Sequence, residues 1–174
     1  MIQMVQFNEL SKSRLLVLEL FLGNPTSEIS YTEVRGKTKL AKATLSESLK
    51  FLVGSEFLES RRIGVTKLYK LKRDSQIIKQ FKILHSLMRL SALKGVVKRH
   101  ECEIFLYGST ARGENTEKSD IDIVIDVPDE MSLFDFFGLG NDLEDALKKK
   151  VDLVDASVIK PRLKPYIMQD QIAI

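Results

Sequence analysis

The 174 residues contain a single cysteine, Cys102, which excludes an internal disulfide and any cysteine-rich zinc site. The two histidines, His85 and His100, stand apart in no metal-ligand pattern. No apolar run approaches the ~18 residues of a membrane span, although 44% of the chain is hydrophobic and a packed core is affordable. Residues 1–10 lack the basic, apolar and small-residue order of a signal peptide. No repeat and no low-complexity linker interrupts the sequence. These absences predict a cytoplasmic protein without membrane contact, built as one ordinary domain or two small ones.

What is present is unevenly distributed. Residues 1–100 hold 19 Lys and Arg against 8 Asp and Glu, a net of +11, and residues 101–174 hold 8 against 16, a net of −8. A basic half can neutralise phosphate, and an acidic half can hold divalent cations. Two modules with different partners are therefore expected.

In the basic half, residues 8–23 read as a helix with Leu15, Leu16, Leu18, Leu20, Phe21 and Leu22 on a wide apolar face, stopped by Gly23-Asn24-Pro25. Ser30-Tyr31-Thr32-Glu33 matches a capping box, so a short helix should follow. Leu45, Leu49 and Leu52 recur at helical spacing and predict a third helix over 42–53. Two strands, near 57–61 and 67–71, should turn at Gly64. A long helix over 75–98, capped by Asp74, carries Ile77, Phe81, Leu84, Leu87 and Met88 as its main stripe. Ile83, Leu90, Leu93 and Val97 widen that stripe, so the helix is expected to touch both domains or a second subunit, a homodimer being one such arrangement.

Three helices followed by a hairpin resemble a winged helix-turn-helix over residues 10–72. The stretch from Ala41 to Leu52 looks like its recognition helix, and Gly54 to Glu59 like its lead into the wing. The resemblance implies binding to duplex DNA. Lys42, Thr44, Ser46 and Lys50 are the candidates for the major groove, and Arg61, Arg62 and Lys67 for phosphate or minor-groove contact from the wing. Glu47 would repel phosphate or accept from a cytosine amino group.

The acidic half alternates differently. Strands are expected over 103–107, 121–127 and 151–156. A helix over 131–150 should break at Gly138-Leu139-Gly140, and Pro161 should open a last short helix. Gly108-Ser109 ends the first strand and opens a helical turn, where glycine lets a phosphate approach the backbone. Ten residues later, Asp120 and Asp122 lie two apart on a strand. Alternation puts both side chains on one face, about 6–7 Å apart, and their carboxylates can converge on Mg²⁺ or Mn²⁺.

Gly-Ser, ten residues, then Asp-x-Asp resembles the signature of the nucleotidyltransferase superfamily. With Ala111-Arg112-Gly113 and Ser119, it looks like the minimal branch that includes kanamycin nucleotidyltransferase-like enzymes and the antitoxins paired with HEPN toxins. The resemblance covers about residues 80–170. It implies a third carboxylate from a neighbouring strand, which Asp152 supplies; Asp155 falls on the opposite face. Gly108 and Ser109 would hold the β- and γ-phosphates of an NTP, ATP being the expected one. Arg112 would offset developing charge or form a structural ion pair.

The fold class expected is α+β. Residues 1–73 form the winged helix-turn-helix. Residues 74–174, including the connecting helix 75–98, form a nucleotidyltransferase-fold domain with a mixed sheet flanked by helices. The function implied is metal-dependent transfer of NMP, expected to be AMP, onto a macromolecular hydroxyl. Kanamycin nucleotidyltransferase-like enzymes add a helical domain for a small acceptor. Here about 18 residues follow the 151–156 strand, so a partner protein such as a HEPN-type toxin is the expected acceptor. The alternative is a transcriptional regulator whose nucleotidyltransferase fold senses nucleotide without turnover.

Overall fold

The computed structural model describes residues 9–128 and 130–174, apart from the side chain of Ala92. The chain passes from one compact unit to a second between Phe81 and Lys82. Among the described residues, no helix is long and apolar enough to cross a membrane.

The first unit contains α1 (Lys12–Leu22), β1 (Ile29–Ser30), α2 (Tyr31–Thr38), α3 (Lys42–Gly54), β2 (Leu58–Ile63) and β3 (Thr66–Leu71). The strands form an antiparallel sheet in the order β1-β3-β2. The predicted capping box is present: Ser30 accepts from the Glu33 N–H, and the Glu33 carboxylate accepts from the Ser30 N–H at 2.8 Å. Gly64 turns the β2–β3 hairpin with φ of 57°. Leu45, Leu49 and Leu52 of α3 are buried with Val17, Leu18 and Phe21 of α1. Each such side chain contributes about 1.5–3 kcal/mol on burial.

One expectation for this unit is corrected, and another falls outside the described residues. The predicted start of the first helix at residue 8 lies outside the described residues; its described span begins at Lys12. Leu15 and Leu16 are exposed, whereas Val17 is buried. Seven of the eight residues from Leu15 to Leu22 are apolar, so the sequence holds no polar face to orient the helix.

The chain continues through α4 (Gln76–Leu90), a 3₁₀ turn (Ser91–Leu93) and α5 (Lys94–His100). The single helix expected over 75–98 is thus interrupted. Ser91 Oγ donates to the Met88 carbonyl at 2.6 Å, a local bond that competes with the helical ladder. The expected main stripe is also displaced. Ile77, Leu84 and Met88 are exposed, while Ile78, Lys82 and Leu90 are buried. The Lys79 N–H donates to the Ser75 carbonyl, so Ser75 and not Asp74 is the N-cap of α4.

The second unit adds β4 (Glu103–Leu106), α6 (Gly108–Ala111), β5 (Ile121–Asp126), α7 (Leu133–Leu147), β6 (Val151–Asp155), α8 (Lys164–Gln169) and β7 (Ile172–Ala173). Its mixed sheet runs β6-β5-β4-β7, with β5 and β6 parallel and the other pairs antiparallel. Ile121, Ile123 and Ile125 are buried together with Ile104 and Leu106 of β4 and Leu139, Leu143 and Leu147 of α7. That core occupies one sheet face, and alternation sends Asp122 to the other.

Helix α7 is unbroken through Gly138-Leu139-Gly140, contrary to the sequence expectation. Leu139 and its neighbours at i+4 and i+8 are buried, and this packing outweighs the two glycines. Gly140 packs against Leu153 on β6. Pro161 lies in a turn, and Pro165 occupies the first turn of α8 instead.

Candidate active site

The site is assembled by strand register. Asp122 of β5 pairs directly with Asp152 of the parallel strand β6. Beyond the end of β4, the Tyr107 N–H donates to the Asp122 carbonyl at 3.0 Å, which extends the β4–β5 pairing by one residue. Cross-strand partners point to the same sheet face. Tyr107, Asp122 and Asp152 therefore form a row across three strands, with Asp120 two residues before Asp122.

Gly108 follows Tyr107 with φ of 67°, a conformation side chains disfavour. A Cβ at this position would also collide with Asp122 Oδ2. The glycine thus lets the backbone lie against the Asp122 carboxylate. The next N–H, from Ser109, favours the ionised form of that carboxylate. Helix α6 has only four residues, so individual N–H and hydroxyl groups, more than a helix dipole, define this end of the site.

Electrostatics register the crowding. The Asp122 carboxyl is pushed above its ordinary range by burial first and by Asp152 next; Ser109 opposes this, Asp120 adds to it and Arg112 opposes it. The Tyr107 phenol is pushed up to about 12 by burial, then by Asp152 and Asp122. Asp120 and Asp152 are exposed, and Asp122 is partly buried. Among the described residues, no group of three or more His, Cys, Asp or Glu side chains is gathered as a metal-holding set. The carboxylate donors nevertheless suit a hard cation such as Mg²⁺, which commonly takes one or two carboxylates and completes its shell with phosphate oxygens and water.

Arg112 is an ion-pair partner in this structure. Its Nε donates to Glu114 Oε2 at 3.0 Å and its Nη1 to Asp170 Oδ2 at 2.8 Å. Two further basic groups border the loop between Gly108-Ser109 and Asp120. Lys149 Nζ lies 3.5 Å from the Thr116 carbonyl, and burial, with Arg89 nearby, holds its pKa below the usual lysine range against the opposing pull of Asp120 and Glu117. Lys82 is buried and donates to the Asn115 carbonyl at 2.6 Å. Sequence reasoning missed Tyr107, Lys82 and Lys149. The β4 register would have flagged Tyr107, but a lysine on an apolar helix reads as its outward face.

The candidates for DNA contact lie in the first unit. Lys42, Thr44, Ser46 and Lys50 are exposed on α3, and Arg62 is exposed on β2. Arg61 donates to Glu28, from Nε at 2.8 Å. Lys67 Nζ sits 5.2 Å from the Tyr69 ring centroid. Glu47, the residue expected to repel phosphate, pairs with Arg14 at 3.3 Å.

The carboxylate row thus lies on a mixed sheet beside the Gly-Ser turn. Residues 92–174 match the family described as Polymerase beta, Nucleotidyltransferase. A Methanocaldococcus jannaschii protein provisionally named a protein adenylyltransferase is 40% identical over 95 residues, covering 49% of this chain and 97% of that protein. Protein adenylyltransferase MntA of Thermococcus cleftensis is 36% identical over 72 residues, covering 41% of this chain and 73% of its own length. A solved structure described as a minimal nucleotidyltransferase aligns over 57% of this chain and 99% of that one, at 28% identity and a TM-score of 0.46. The chain belongs to the polymerase-β-type nucleotidyltransferase family, and it is a nucleotidyltransferase.

Proposed function

We propose that the chain transfers AMP from ATP to a hydroxyl group of a partner protein. The in-register pair Asp122 and Asp152, set against Gly108 where a side chain would not fit, carries this reading. The relatives named as protein adenylyltransferases support the choice of nucleotide and acceptor class.

In this reading Asp120, Asp122 and Asp152 hold Mg²⁺ or Mn²⁺. When bound, the cation offsets the triphosphate charge and lowers the pKa of the acceptor hydroxyl. Ser109 contributes its hydroxyl and Gly108 its backbone to the β- and γ-phosphates. The acceptor oxygen attacks the α-phosphorus, the bond to the bridging oxygen breaks, and pyrophosphate leaves. Asp152, exposed at the end of the carboxylate row, takes the acceptor proton as general base. Arg112 reaches the phosphates only by leaving Glu114 or Asp170; otherwise it anchors the turn. The resemblance of the motif to antitoxins paired with HEPN toxins makes such a toxin the first partner to test.

The first unit is read as a winged helix-turn-helix that binds duplex DNA, with α3 in the major groove and the β2–β3 hairpin as the wing. Its element order and the exposed Lys42, Thr44, Ser46, Lys50 and Arg62 support this.

The deciding experiment measures pyrophosphate release and labelled-AMP transfer with ATP and Mg²⁺ in the presence of co-purifying proteins. Both should vanish in EDTA and in the Asp120→Asn, Asp122→Asn double variant. Nucleotide binding without pyrophosphate release in any partner mixture would favour a sensor instead.

A further inference from the structure

We propose that Lys82 is a positioning residue that holds together the two halves of the nucleotide site. It does so through the loop that joins Ser109 to Asp120. This inference rests on the assignment of Gly108-Ser109 to the triphosphate.

Lys82 is 2% exposed. Burying an ammonium group is expensive, and the partners of Lys82 must offset that cost. Its Nζ donates to the Asn115 carbonyl at 2.6 Å. Asn115 lies midway between the two motifs, and hydrogen bonds run from it in both directions. Toward the Gly-Ser turn, the Asn115 and Glu114 N–H groups donate to the Ser109 carbonyl at 3.1 and 2.8 Å. Toward the aspartates, the Thr116 N–H donates to Ser119 Oγ at 2.8 Å, and Ser119 immediately precedes Asp120.

The amide joining Asn115 to Thr116 is the centre of this arrangement. Its carbonyl accepts from the ammonium and its N–H donates to Ser119. A charged donor at one end of an amide strengthens the bond made at the other. The Asn115 side chain adds nothing on its carbonyl side, since its Oδ1 is buried without a hydrogen-bond partner. The loop is therefore fixed by its main chain, and Lys82 supplies the charge-assisted contact. The Ser109 N–H in turn favours the ionised Asp122 carboxylate. Loss of the ammonium should loosen Ser109 and Asp120 together, although Lys82 need not touch the nucleotide.

The test uses the full chain with Lys82→Met, which keeps the stem, and Lys82→Gln, which keeps a donor. ATP and AMP binding are titrated with Mg²⁺, and exchange of the Glu114 and Asn115 amides is followed. The expected result is a loss of ATP affinity of roughly tenfold or more in Lys82→Met, a smaller loss in Lys82→Gln, little change for AMP, and faster exchange confined to the loop. Combination with Ser109→Ala should be clearly less than additive. Equal weakening of ATP and AMP, unchanged ATP affinity, or failure of both variants to fold would each overturn the proposal. If Ser109→Ala weakens ATP binding while Lys82→Gln does not, only the lysine's role falls. If the wild type binds no ATP, the nucleotide assignment falls with it.

Discussion

At the scale of single residues, the site holds like charges close together and is less stable for it. Asp122 is the clearest case, because burial and Asp152 both raise its pKa. A carboxyl raised in the folded state contributes stability below its unfolded pKa of about 3.9. That contribution is lost as pH rises through the higher folded value. At neutral pH the ionised Asp122 therefore costs stability when neither metal nor nucleotide is bound. Asp122→Asn should raise the melting temperature by a few degrees at pH 7, with the gain shrinking as pH falls through the raised folded value and gone below the unfolded value of about 3.9. The same variant should lose metal-dependent ATP binding in calorimetry. A lower melting temperature at pH 7 would mean that Asp122 acts mainly as a structural acceptor for Ser109. Gly108 should behave in the opposite way. Gly108→Ala incurs about 1–3 kcal/mol of backbone strain and drives a methyl group into Asp122. Thermal melts should show the loss, and ATP binding should fall with it; wild-type binding would uncouple Gly108 from the aspartate.

At the scale of elements, glycines of different conformation should give opposite results. Gly138 lies within α7, and a Cβ there would meet nothing within 4 Å. Gly138→Ala should stabilise the protein by about 0.5–1 kcal/mol, read as a higher melting temperature. A decrease would show that α7 needs flexibility at the Gly138-Leu139-Gly140 segment. The same helix shows where sequence reading stops. Ser30 and Glu33 were legible because a capping box is local. Strand β5 was legible because Ile121, Ile123 and Ile125 alternate with aspartates, and the spacing of Gly108-Ser109 from Asp120 and Asp122 marked the candidate site. The continuity of α7, the burial of Lys82 and the outward turn of Ile77, Leu84 and Met88 depend on tertiary packing, which no local pattern encodes. The hairpin offers a further test. Arg61 and Arg62 are both exposed, and Arg61 is engaged by Glu28. Arg62→Ala should weaken binding to all duplex sequences and lower the salt slope by about one. Arg61→Ala should do less. The reverse order in a gel-shift titration would mean that Arg61 leaves Glu28 for phosphate, and no binding by the wild type at low salt would leave the first unit as a protein-contact module.

At the scale of the whole molecule, the two units differ in charge: residues 1–81 hold 14 Lys and Arg against 8 Asp and Glu, and residues 82–174 hold 13 against 16. The net +6 of the first unit suits nucleic acid, and the net −3 of the second favours a partner with a positive face. The position of the candidate site narrows the acceptor further. Asp152 lies on β6, the edge strand of its sheet, and both Asp152 and Asp120 are exposed. Small-molecule sites commonly bury about 70–90% of their ligand, which an edge row of exposed carboxylates does not provide. An acceptor that brings its own surface, such as a folded protein presenting a hydroxyl, is compatible with this geometry. Its approach to the acidic half should be steered by charge, so the initial rate of AMP transfer should fall as salt is raised, while the salt dependence of DNA binding should be unaffected by Asp122→Asn. Incubation with ATP and Mg²⁺ followed by mass spectrometry of co-purifying proteins should find one AMP adduct on a hydroxyl side chain of a specific partner. Efficient turnover of a small hydroxylated compound with every protein left unmodified would reverse the assignment, because the pocket that encloses such a compound would then have to come from outside the carboxylate row.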